Sequence, residues 1–114
     1  GVVVESLRIK AEKLRSLSYD NVLAEYMGIG TMTENPIRVF FIQNLTDAVL
    51  MFSFDGIDDT FPLAPHSYFL TDVTANKASG EGFFTKVGQR FYVKQFGDVP
   101  TQGSVYVSCF YAEP

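Results

Sequence analysis

The stretch IRVFFIQNLTDAVLMFSF, residues 37 to 54, runs into Asp55-Gly56 and decides the fold class. Two apolar runs rich in β-branched and aromatic side chains flank a polar corner, Asn44-Leu45-Thr46-Asp47. Each run is too short for an ordinary helix and has the composition of a strand. Asn and Asp bond their own backbone two residues on, so the corner favours a turn. The reading is two strands that pair antiparallel. Ile37 to Asn44 is apolar at nearly every position, as expected of a central strand covered on both faces. A matching run, Val105 to Tyr111, closes the chain.

Working outward, Asn35-Pro36 breaks the chain before Ile37, because the proline ring disfavours helical geometry at Asn35. Asn21 to Ile29 alternates before Gly28 and Gly30 and predicts a strand ending in a bend or bulge. On the other side, Asp55 to Asp59 reads as a turn, and Ser67 to Val73 as a strand with Tyr68, Leu70 and Asp72 opposite Phe69, Thr71 and Val73. Residues 75 to 82 read as an exposed loop, Phe83 to Thr85 as a short strand, and Phe91 to Phe96 as another. Seven or eight short strands at roughly ten-residue spacing suggest an antiparallel sandwich or barrel. The predicted fold is an all-β antiparallel β-sandwich, jelly-roll or Ig-like, with an extended N-terminal arm.

The 114 residues suffice for one domain with one core, here assigned to residues 16–114, with residues 1–15 as the arm. In that arm Leu7, Ile9 and Ala11 alternate with Arg8, Lys10 and Glu12 as a strand would, while Val4, Leu7, Ala11 and Leu14 recur at helical spacing. An extended arm or edge strand is favoured because β patterning follows it; a short helix is the alternative. A hydrophobic share of 46% with eleven Phe and six Tyr supports a packed core that folds without a cofactor. No apolar run approaches the ~18 residues of a membrane span, and no signal-peptide layout opens the sequence, so a cytoplasmic origin without membrane contact is expected.

Charge is uneven. The net value is −4, yet residues 1–15 sum to +2 and leave −6 on the rest. An acidic body disfavours direct nucleic-acid binding, whereas a basic arm suits docking on an acidic neighbour such as another copy's body. The single cysteine, Cys109, excludes an internal disulfide and reads as a buried, inert thiol on the Val105, Val107 and Tyr111 side of the last strand. His66, the only histidine, adjoins Ser67, and a triad with Asp72 would need near neighbours whose side chains diverge. Asp55, Asp58 and Asp59 suit a tight turn better than a calcium loop, because their spacing is not that of an EF-hand. Arg38, Lys77, Lys86, Arg90 and Lys94 near Phe91 and Tyr92 suggest a stacking platform for single strands, which the acidic balance opposes. No reaction, metal or cofactor is named by these residues.

Several stretches carry a resemblance: Asn35-Pro36-Ile37-Arg38-Val39, Gln43 to Asp47, Met51 to Gly56, Asp72 to Lys77, Phe91 to Gln95 and Gly103 to Val107. Across residues 20 to 112 the chain resembles small structural proteins of tailed bacteriophage virions. The resemblance implies a non-enzymatic β-sandwich subunit of the neck, tail or head surface, made in the host cytoplasm and incorporated into the virion. It also implies contacts with other copies of itself and with other virion proteins, and it supplies no catalytic residues. The contacts expected of the arm are Leu7, Arg8, Ile9, Lys10, Lys13 and Arg15, with Leu7, Ile9 and Ala11 donated to a neighbour's sheet. Deleting residues 1–15 would then leave a folded domain that assembles poorly. The alternative is a carbohydrate- or receptor-binding module that recognises a glycan through Asp55, Asp58, Asp59 and nearby aromatics.

Overall fold

The computed structural model describes residues 8–73 and 85–113. Among the described residues, nine strands form two antiparallel sheets stacked as a sandwich. The first sheet takes β1 (Arg8–Ala11), β2 (Arg15–Ser18), β4 (Val39–Asn44), β7 (Ser67–Asp72) and β9 (Ser104–Glu113). Its order is β1-β9-β4-β7, with β2 beside β1 on the same edge of the ten-residue β9. The second sheet takes β3 (Met27–Gly28), β5 (Leu50–Ser53), β6 (Phe61–Leu63) and β8 (Tyr92–Gln95), in the order β3-β8-β5-β6. The expected all-β sandwich is therefore present.

Period-two alternation fills the space between the sheets. β4 sends Phe40 and Ile42 inward, β9 sends Val105, Val107 and Cys109, and the second sheet answers with Leu50, Phe52 and Val93. Phe40 meets Phe54 and Phe91 at centroid distances of 5.6 and 5.3 Å. Phe61 on β6 stacks on Phe69 of β7 at 4.6 Å, tying one side of the sandwich together where the two sheets meet.

Three expectations change. First, β4 and β5 do not pair with each other: β4 lies between β9 and β7, whereas β5 lies between β8 and β6. The corner at Asn44 carries the chain from one sheet to the other. The cause is the Asn44 side chain, which is fully buried. Its Nδ2 donates to the carbonyls of Ala48 and Leu63, both at 2.9 Å, and its Oδ1 accepts from the Thr46 N–H at 3.0 Å and the Thr46 hydroxyl at 2.6 Å. These bonds satisfy a corner that has no hairpin ladder. Gly103, at φ +90°, lets the chain pass so close that a Cβ there would lie 2.0 Å from the Leu45 carbonyl oxygen.

Second, of the strand expected over residues 21–29, only Met27–Gly28 pairs, while Val22 and Ile29 are buried around it. The Arg90 guanidinium fills the space a side chain at Gly28 would need. Third, residues 8–11 are extended as expected, but β1 pairs with the chain's own β9, Ile9 facing Ala112 and Ala11 facing Phe110. The boundary drawn after residue 15 falls inside β2, which pairs with β9 from Val107 to Ser104. The loop expected over 75–82, together with Phe83 and Phe84, lies outside the described residues, and Thr85 bridges to Ile37.

Candidate functional site

Of the contact residues expected on the arm, Leu7 lies outside the described residues. Arg8, Ile9 and Lys10 stand on β1, Lys13 in the exposed link to β2, and Arg15 at the start of β2. They do not form one surface. Arg15 is buried, and its guanidinium donates to Glu12 Oε1 at 2.8 Å, to the Thr31 carbonyl at 2.6 Å and to the Met32 carbonyl at 3.0 Å. Glu12 Oε2 accepts from the backbone N–H of Glu34 and Asn35 and from the Asn35 amide. Burial by itself would raise the Glu12 carboxyl, but the bonds from Asn35, Arg15 and Glu34 outweigh it and hold the group below its ordinary value. This pair staples the N-terminal strands to the loop before β4. Arg15 is thus not a docking contact, because charge and fork are already spent inside the fold. Lys10 forms an exposed ion pair with Glu113 at 3.4 Å.

The acidic turn is likewise absorbed locally. The Asp55 carboxylate accepts from the N–H groups of Ile57 and Asp58 and from the Ser53 hydroxyl, which lower its pKa to about 2. Asp59 accepts from the Tyr26 hydroxyl at 2.5 Å and pairs with Lys94 at 3.1 Å, and both partners lower its pKa. Burial, reinforced by Asp59, raises the Tyr26 phenol. Lys94 also sits 4.7 Å above the Tyr26 ring. These carboxylates therefore organise the β5–β6 loop and fasten it to the second sheet. Among the described residues no group of three or more metal-ligating side chains converges.

His66 occupies a turn at φ 62°, and its N–H donates to the Asn44 carbonyl at 2.7 Å. The Ser67 hydroxyl donates to the Ala64 carbonyl at 2.6 Å, so the structure forms no Ser-His relay there. Cys109 is fully buried between the sheets, and burial pushes its thiol up to about 11. Phe91 is a core residue, and Arg90 and Lys94 lie over the rings of Tyr92 and Tyr26. The aromatics suggested as a stacking platform are thus divided between core packing and cation–π pairs.

What the structure does assemble is the outer face of the first sheet. The residues that β4, β7 and β9 turn away from the core are Val39, Phe41 and Gln43; Tyr68, Leu70 and Asp72; and the even positions from Ser104 to Ala112. The pairing register aligns them in rows: Phe110, Val39 and Asp72; Ser108, Phe41 and Leu70; Tyr106, Gln43 and Tyr68. The Phe41 and Tyr68 rings meet edge to face at 5.4 Å. Tyr68 is 64% exposed and Leu70 57%, and Ile9 extends the same face along β1 at 81%. A shallow groove of about 220 Å³ runs between Ile9, Val39 and Phe110, with Arg38 and Asp72 also in its lining. Asp72, at one margin, is the only charged residue directed outward from these strands.

Sequence reasoning passed over this face. The signal was there: residues 39–42 are apolar on both sides of the strand, and alternation set Tyr68 and Leu70 opposite Phe69. No protein-family model, curated protein or solved structure matches the chain.

Proposed function

We propose that this protein is a non-enzymatic structural subunit of a tailed bacteriophage virion, incorporated at the neck, tail or head surface, that works by contact with other proteins. The observation that supports a contact role best is the chemistry of the outer sheet face. The exposed face of a sandwich is ordinarily polar, whereas among the described residues this one gathers Phe41, Tyr68, Leu70, Tyr106 and Phe110, with Arg38 and Asp72 at the margin of its groove. Aromatic side chains with depleted charge are the composition of the buried centre of a protein interface. The polar clusters that could serve chemistry, at Glu12, Asn44 and Asp55, are instead bonded into loops and corners. The carbohydrate reading has less support, since two of its three carboxylates, Asp55 and Asp59, already bond Ser53, Tyr26 and Lys94.

Mass spectrometry of purified particles from the phage that encodes this chain tests the reading. The expected result is the chain present in fixed multiple copies per particle. Its absence from particles that are otherwise complete overturns the proposal.

A further inference from the structure

We infer that the outer face of the first sheet is covered by the same face of a second copy of this chain, the two sheets stacking about a two-fold axis. The inference deepens the contact role proposed above and rests on it. Area is the first argument. Four strands at a spacing of ~4.8 Å and a six-residue strand of about 20 Å give a face of roughly 19 by 20 Å, on the order of 400 Å² in projection. Two such faces remove on the order of 800 Å² from water before the relief of the side chains is added, and specific interfaces begin near 1,000 Å². The pair of faces thus lies near the lower limit of interface size, which side-chain relief is needed to reach.

Charge is the second argument. The chain carries −4 overall and −6 beyond residue 15, so two copies repel over most approaches. On this face uncharged Phe41, Leu70, Tyr106 and Ser108 fill the centre, while the described charges, Asp72 and Arg38, are opposite in sign and stand at the margin of the groove. A partner selected by opposite charge would find nothing to address at that centre. A neutral aromatic surface is instead complementary to itself, the condition an isologous contact requires. Shape is the third argument. Sheets stack face to face at about 10 Å through interdigitating side chains, and the edge-to-face pair of Phe41 and Tyr68 provides such relief near the centre of the face.

The test is sedimentation equilibrium of the full chain over a concentration series. The wild type is compared with Leu70→Lys, Tyr68→Lys and, as a control in the β5–β6 loop, the 80%-exposed position changed as Ile57→Lys. Both face positions are more than half exposed, so the lysines are compatible with the fold, and circular dichroism of each variant verifies it. The expected outcome is a wild-type dimer whose dissociation constant rises roughly a hundredfold or more in either face variant, because a lysine is buried unpaired there, with no change in the control. A wild type that stays monomeric throughout, or a dimer indifferent to both face lysines, overturns the inference. Should a monomeric chain still be found in particles, the two-fold contact fails while the contact role stands. Should the dimer form as described with the chain missing from particles, the contact is upheld and the virion role fails.

Discussion

Glu12 and Asn44 are buried polar residues on which neighbouring segments depend. Each bonds across a large sequence separation: the Glu12 carboxylate accepts from residues 34 and 35, and the Asn44 side-chain amide donates to residues 63 and 64. Replacing Glu12 with Gln leaves the buried Arg15 guanidinium without its counter-charge, and we expect a loss of about 3 kcal/mol in urea unfolding at pH 7. The pH dependence follows from the direction of the shift. The folded Glu12 carboxyl titrates below its ordinary value of 4.5, so its stabilisation is complete above that value and is lost as pH falls through the lower, folded one. Asp47, Asp55 and Asp59 are lowered as well and act in the same sense. Unfolding midpoints should therefore fall on acidification below pH 4.5, and fall less steeply in Glu12→Gln; equal slopes for the two proteins would contradict the role given to the carboxylate.

Asn44→Leu preserves approximate volume but leaves the Ala48 and Leu63 carbonyls and the Thr46 N–H without the partner that replaces a ladder at the corner. We expect a loss of about 3 kcal/mol, read as a lower denaturant midpoint at unchanged slope.

At the scale of the element, the N-terminal strands matter in a way that composition conceals. β1 is a terminal edge strand, exposed along most of its length, whereas β2 brings Arg15 into the interior and covers β9 from Val107 to Ser104. Removing residues 1–11 should therefore leave a chain that melts cooperatively, with its midpoint lowered. Removing residues 1–15 takes away Glu12, Arg15 and the start of β2, a loss comparable with the ~5 kcal/mol at the low end of a small domain's total stability. Thermal melts followed by circular dichroism distinguish the two, and a cooperative transition in the shorter chain at the wild-type midpoint would show that the staple contributes little. The loss expected on removing residues 1–15 differs from the outcome expected when they are read as a separate arm, and the melts decide between the two. The β4–β5 connection teaches the same lesson: two apolar runs around a four-residue polar corner have the same local pattern whether they return as a hairpin or cross to a second sheet.

At the scale of the whole molecule, the two sheets share one interior, and Cys109 reports on it. The thiol lies at the core face of β9, beyond the reach of solvent, with its pKa raised to about 11 by burial. Its reaction with an aromatic disulfide reagent at pH 8 should follow the rate at which the native state opens, far below that of a free thiol, and recover the free-thiol rate in denaturant. Rapid modification of the native chain would mean that β9 separates locally from its neighbours.

Much of the fold was readable along the chain. Alternation in residues 67–73 and 104–111, and the apolar runs of 37–54, located strands because side-chain period and polar breaks are local properties. Even the burial of Cys109 followed from its parity with Val105 and Val107. The candidate surface was only half readable. Tyr68 and Leu70 were set on one side of their strand, but that this side faces outward, beside Phe41, Tyr106 and Phe110, depends on pairings made by residues far apart.

The amino-acid sequence by itself determined that this protein is all-β, where most strands begin and end, and which residues share a side of each strand. Those properties arise from backbone sterics and a two-residue period within a few positions. Only the tertiary structure decided that Arg15 and Glu12 belong inside, that Asn44 turns the chain between sheets, and that Phe41, Tyr68, Leu70, Tyr106 and Phe110 share one outward face. Burial and pairing are relations between distant segments, and their free energy exists only once those segments have met.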